Sequence, residues 1–123
     1  MNRIKKKLVF GTANLGVNYG INTSNISKNN SLKEIFLLLK KEKILFIDTA
    51  YSYKNAEKYL GKLNLKKFKL ITKLPKINKG NLNFLEKEII RRIKKSLKKL
   101  SISHFYSILV HNTKELNGSK GKR

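Results

Sequence analysis

The stretch Ile44-Leu45-Phe46-Ile47-Asp48-Thr49-Ala50-Tyr51-Ser52-Tyr53 decides how this chain reads. Four apolar residues in a row fit a parallel strand buried on both faces. The run stops at a carboxylate, so Asp48 stands at the strand's C-terminal end and Tyr53 follows five positions later in the loop. The same arrangement recurs downstream. Residues 68–72 read as a strand that delivers Lys73, and Pro75 stops its regular continuation because proline cannot donate to an interior ladder. Residues 106–110 form a further apolar run and deliver His111. Upstream, Leu8-Val9-Phe10 reads as a short strand. It enters the loop Gly11-Thr12-Ala13-Asn14-Leu15-Gly16, which continues through Tyr19-Gly20 into the polar stretch 22–30.

Helices are expected between these strands. Ser31 and Glu34 have capping-box spacing at the start of the first, and Leu32, Ile35, Phe36 and Leu39 form its apolar stripe. A short helix is expected over about 55–60, with Gly61 as its C-terminal stop. The clearest covers about 84–100, where Leu85, Ile89, Ile93, Leu97 and Leu100 recur every three or four residues. Its basic remainder includes Arg91, Arg92, Lys94, Lys95, Lys98 and Lys99. Alternating strands and helices predict an α/β fold with parallel strands joined by crossovers. An open doubly wound sheet is the alternative, but no Gly-x-Gly-x-x-Gly opens the first helix. Polar residues at successive strand ends suit the C-terminal rim of a barrel, whose complete form needs roughly 250 residues. This chain has 123.

Composition narrows the chemistry. With no cysteine, disulfides, thiolate catalysis and cysteine-ligated metals are excluded. The two histidines, His104 and His111, lack acidic partners at ligand spacing, so no metal site is expected. The basic start has only Leu8, Val9 and Phe10 as an apolar core, too few for a signal peptide. No apolar run approaches the roughly 20 residues of a membrane span. A cytoplasmic location is the expectation. The formal net charge is +22, from 29 Lys+Arg against 7 Asp+Glu. Such a surface attracts polyanions. The lysines are scattered over every segment, however, which reads as a general residue bias and not as a nucleic-acid groove.

Asp48, Tyr53, Lys73 and His111 together make a plausible proton-donating group. A phenol is a poor donor to a neutral carbonyl at neutral pH, a nearby ammonium favours phenolate, and a carboxylate can hold that ammonium in place. A histidine can orient the carbonyl oxygen or relay the proton. Each residue also has a plain structural reading. Asp48 could be a turn residue or a cap. Tyr53 has Tyr51 and Tyr59 nearby, any of which could pack. Lys73 is one lysine among many. His111, at the end of an apolar strand, carries more weight than His104.

At these residues the chain resembles the aldo-keto reductase family. The matching segments are Phe10-Gly11-Thr12-Ala13-Asn14-Leu15-Gly16, Phe46-Ile47-Asp48-Thr49-Ala50-Tyr51-Ser52-Tyr53, Asn55-Ala56-Glu57 with Leu60-Gly61, Leu70-Ile71-Thr72-Lys73, Ser96-Leu97-Lys98-Lys99-Leu100 and Leu109-Val110-His111-Asn112. The resemblance implies the N-terminal half of a (β/α)8 TIM barrel: about four parallel strands, incomplete, in one partial domain over 1–123. It implies Tyr53 as general acid, Lys73 as the residue lowering its pKa, Asp48 as the lysine's partner and His111 as the carbonyl-orienting residue. It implies NADPH as cofactor, with Gly11, Thr12 and Asp48 at the nicotinamide end. The run 11–20 looks most like the branch associated with sugar and cell-surface polysaccharide synthesis. One departure is Lys54, where the family commonly has glycine after the tyrosine.

Three readings follow. The first is an NAD(P)H-dependent carbonyl oxidoreductase acting on a small-molecule carbonyl, possible sugar-related substrates included. Its missing half would come from a longer product or a complementing second-half chain; self-association through the open strand edges would cover them but would not recreate the lost cofactor loops. The second is an inactive truncated fragment, because the segment after His111 begins like a loop entering a helix and ends at Arg123. The third is a basic polyanion-binding protein with the four residues as relic.

Overall fold

The structure, a computed structural model, describes residues 8–15, 29–53, 55–75 and 82–114. The remainder of the loop after Leu15, Lys54 and the segment beyond residue 114 lie outside the described residues. The elements in chain order are β1 (Val9–Gly11), α1 (Asn29–Lys41), β2 (Phe46–Asp48), α2 (Ala56–Leu60), β3 (Lys69–Leu74), α3 (Leu82–Leu100) and β4 (Ser107–Val110). The four strands form one sheet in the order β1-β2-β3-β4, and every adjacent pair is parallel. Strand order therefore follows chain order without reversal, as in a barrel and unlike a doubly wound sheet with its switch point.

Alternation along the strands separates two faces. Phe10, Ile47, Leu70 and Thr72 turn toward the helical layer. Ile47 has no exposed surface, Leu70 has 3% and Thr72 has 2%. Leu32, Phe36 and Leu39 of α1 pack in the same core as Ala56, Leu60, Leu65, Phe68 and Leu100. Phe36 makes edge contacts with Phe10 and Phe68, at centroid distances of 6.1 and 5.1 Å. The other face carries Phe46, Asp48, Lys69, Ile71 and Lys73. On it Phe46 meets Tyr106 edge-on, and Lys69 Nζ lies 5.3 and 5.1 Å from their two rings.

Both long helices end the same way. Ile44 N–H donates to Leu39 O and Lys43 N–H to Lys40 O; Ile102 N–H donates to Leu97 O and Ser101 N–H to Lys98 O. These are Schellman closures, with Lys43 and Ser101 at φ of 56° and 54° where glycine is usual. Each turn places an isoleucine back on the core and sets the direction of the chain entering the next strand.

Several boundaries differ from the sequence reading. Helix α1 begins at Asn29, two residues before Ser31, and the capping box expected at Ser31 lies outside the described side chains. Strand β2 begins at Phe46, because Ile44 is used in the helix closure. Nor is the 44–47 run buried on both faces: Leu45 is 37% exposed and Phe46 partly exposed. Helices cover one face of that strand, while on the other Phe46 meets Tyr106 and Lys69. Helix α2 does end before Gly61, but Gly61 adopts ordinary helical angles of −63° and −14°. Glycine is needed there for another reason. A Cβ would lie 1.8 Å from the Lys99 carbonyl oxygen, so α2 and α3 approach closer than any side chain allows.

Candidate active site

The C-terminal ends of β1, β2 and β3 are tied together by main-chain bonds that continue past the strands. Thr12 N–H donates to Asp48 O at 3.0 Å, Thr49 N–H to Ile71 O at 2.9 Å and Tyr51 N–H to Lys73 O at 3.2 Å. His111 N–H extends β4 in the same way, donating to Leu74 O at 3.1 Å. Thr12 adds its hydroxyl to the same Asp48 carbonyl at 2.9 Å and is fully buried. The loop after β2 then turns sharply: Tyr53 N–H donates to Ala50 O, and Ala56 N–H to Tyr53 O. Tyr53 is thereby folded back over the strand ends.

These bonds bring Asp48, Tyr53, Lys73 and His111 together. Lys73 Nζ lies 2.6 Å from Asp48 Oδ1 and also contacts Oδ2, so both carboxylate oxygens accept from one ammonium. The same nitrogen is 3.4 Å from Tyr53 Oη and 3.5 Å from Thr49 O. The Tyr53 and His111 rings meet edge to face, at a 6.1 Å centroid distance and an interplanar angle of 82°. Asp48 and Lys73 are mostly screened, with 28% and 20% of their side chains exposed. In such a setting the ion pair is stronger than on an open surface. Asp48 is the last residue of β2 and Lys73 the penultimate residue of β3, not a residue beyond the strand's end.

The neighbouring tyrosines stand elsewhere. Tyr51 has the Arg92 guanidinium and the Lys99 ammonium near its ring, at 5.5 and 5.3 Å. Tyr59 packs against the core beside Lys62. His104 is exposed and bonds Ser103. Among the described residues, no group of three His, Asp or Glu side chains could hold a metal ion.

The sequence reading did not single out three supporting features. One is the Thr12 hydroxyl's attachment to Asp48, which hydropathy cannot signal. The second is Ser52, whose Oγ lies 3.4 Å from His111 Nδ1. The third is a link from α3 to α2 and the loop before it: buried Glu57 of α2 accepts from Lys99 at 3.4 Å, and Arg92, beside Tyr51 of the loop, pairs with Glu88. Their contacts span 59 and 42 positions for Ser52 and Lys99, which local pattern cannot anticipate.

A set of polar side chains gathered on the C-terminal rim of parallel strands is the usual barrel-enzyme placement. The model of the Aldo/keto reductase family matches residues 7–117. The chain belongs to this family. Among solved structures, an aldo-keto reductase of Pseudomonas aeruginosa, PA4992, is similar with 23% identity and a TM-score of 0.68. The similarity covers 85% of this chain and 42% of that one. A second aldo-keto reductase structure from Pseudomonas aeruginosa has 21% identity and a TM-score of 0.63, over 85% and 40% of the two chains. At these identities the neighbours establish the fold: the chain corresponds to an N-terminal part of an aldo-keto reductase barrel and spans less than half of either neighbour. No curated protein matches. No helix among the described residues is long and apolar enough to cross a membrane.

Proposed function

We propose that this chain carries the proton-transfer side of an NAD(P)H-dependent carbonyl reductase. The observation that supports it is the single ammonium of Lys73, shared between the Asp48 carboxylate and the Tyr53 hydroxyl. A bound NADPH would supply hydride to the carbonyl carbon. Tyr53 gives its hydroxyl proton to the carbonyl oxygen, which leaves as an alcohol. Lys73 steadies the phenolate left behind, Asp48 holds the ammonium in place, and His111 donates a hydrogen bond to the carbonyl oxygen. Solvent then returns the proton to Tyr53.

The residues fit the nicotinamide end of the cofactor. Gly11 pairs with Asp48 across the sheet, is exposed, and a Cβ built there would meet nothing within 4 Å. A flat ring can approach such a backbone closely. Thr12 and Asp48 would shape this position without bonding the ring, since Thr12's hydroxyl is spent on Asp48 and the Asp48 carboxylate on Lys73. The substrate is a small carbonyl compound. Sugar-related carbonyls are the first class to test, on the resemblance of residues 11–20.

The chain spans 42% and 40% of its structural neighbours, so the proposal extends to a second polypeptide segment. A complementing second half, on the same or a separate polypeptide, would supply the remaining cofactor contacts; self-association through the β4 edge would cover that edge without supplying them. The test follows loss of NADPH absorbance with a panel of carbonyls, for the chain alone and mixed with a complementing second half. Tyr53→Phe should lower turnover at least about 100-fold with unchanged circular dichroism. Full turnover by that variant would place the acid elsewhere. Salt-sensitive polyanion binding with no NADPH binding would favour a basic binding module instead.

A further inference from the structure

His111 has its backbone fixed and its side chain held by two contacts. The N–H bond to Leu74 O closes the ladder at the end of β4, so only the two side-chain torsions remain free. The Tyr53 ring restricts one side of the imidazole. At the ring's edge, Ser52 Oγ lies 3.4 Å from Nδ1. Ser52 immediately precedes Tyr53, so one loop carries both the proposed acid and a polar group against the histidine.

A neutral imidazole has one N–H and one lone pair, and the partner of one nitrogen decides what the other presents. A hydrogen bond offered to a carbonyl oxygen from Nε2 requires the proton on Nε2 and the lone pair on Nδ1. A serine hydroxyl can donate to that lone pair. We propose that Ser52 is a positioning residue: its hydroxyl donates to His111 Nδ1, holding the Nε2–H form and the ring orientation that a substrate carbonyl needs. This rests on the reductase reading above. It adds a residue that acts through His111 and does not touch the substrate. Among the described residues, alanine at this position would leave the imidazole held by the Tyr53 contact and its backbone alone.

The chain has two histidines, which makes the test direct. Two-bond ¹H–¹⁵N correlations on the full labelled chain, at about pH 8.5 where imidazole is neutral, report both ring nitrogens of each. The wild type should show His111 with a protonated Nε2 and a hydrogen-bonded, pyridine-type Nδ1. Ser52→Ala should move Nδ1 downfield, Ser52→Thr should return it, and His104, bonded to Ser103, should not respond. A proton found on Nδ1, or an Nδ1 signal indifferent to Ser52→Ala, overturns the proposal. In turnover, Ser52→Ala should lower kcat about tenfold with NADPH affinity unchanged, and threonine should restore it. Unaltered kcat in the alanine variant also overturns it. The nitrogen signature with no carbonyl turnover in any form sinks the reductase reading and leaves the Ser52–His111 bond established.

Discussion

Strands β2 and β4 are both short apolar runs in one parallel sheet, and their environments are opposite. In β2, Ile47 is completely buried beneath the helices, and its neighbours Leu70 and Thr72 in β3 are almost so. In β4, Ile108, Leu109 and Val110 are 41%, 44% and 37% exposed, so neither face of the strand is covered among the described residues. The candidate site straddles this divide. Asp48 and Lys73 come from the closed β2–β3 seam, while His111 comes from the open strand. The Asp48–Lys73 ion pair therefore sits on strands that a packed core holds. Among the described residues, His111 is held by one ladder bond, a ring contact and Ser52. Parallel strands reward burial on both faces, so β4 has the surface that a further βα unit, or a second copy, would cover.

The largest expected effect breaks the comparison at its closed side. Ile47→Ala should cost about 2–5 kcal/mol, as for buried aliphatic truncations, whereas Val110→Ala should stay within about 1 kcal/mol. Urea denaturation of both variants measures this, and equal losses would mean β4 is covered in solution. Next, Gly61→Ala should destabilise by about 1–3 kcal/mol, because its methyl would force the end of α2 off the Lys99 carbonyl. The same denaturation curves check it, and a neutral result would show that α2 and α3 can separate freely.

A smaller effect sharpens the seam itself. Thr12→Val removes one hydroxyl bond to Asp48 O while the backbone bond remains, so about 1 kcal/mol should be lost and Thr12→Ser should recover most of it. NADPH titration of the valine variant should show unaltered affinity; a large loss would make the hydroxyl a direct cofactor contact. The smallest effect lies on α3, at Glu88. Hydrogen bonds from Arg91 and then Arg92 hold the Glu88 carboxyl down at about 2, from an ordinary 4.5. A depressed carboxylate stabilises the fold above its unfolded value, and that contribution fades as pH falls through the folded value. The stability gap between wild type and Glu88→Gln should therefore shrink as pH is lowered from 4.5 toward 2. A gap constant over that range would show that the two arginines are not engaged.

Much of this was legible beforehand. The apolar runs located all four strands, and the stripe of Leu32, Ile35, Phe36 and Leu39 predicted the inward face of α1. Such periodicities are local, so the chain carries them openly. The start of β2 was less legible, since Ile44 looks like a strand residue and is consumed by the closure after α1. Gly61 was read correctly as an end and for the wrong reason, because its constraint comes from Lys99, far along the chain. The candidate site was legible as residue types at strand ends. The contacts among Asp48, Tyr53, Lys73 and His111, and those of Thr12 and Ser52, were not.

By itself, then, the sequence determined the alternation of strands and helices, the family, and the presence of a carboxylate, an amine and an imidazole at three strand ends with a phenol in the loop after the first of them. Hydrophobic period and local turn chemistry suffice for that, because they act over a few residues. Only the tertiary structure decided that Lys73 reaches Asp48 and Tyr53 at once, that Thr12 faces inward to hold Asp48, and that Ser52 meets His111. Those are contacts between residues 20 to 59 positions apart. They exist because parallel pairing sets Gly11, Asp48, Ile71 and Ser107 in register and brings the strand ends to one rim.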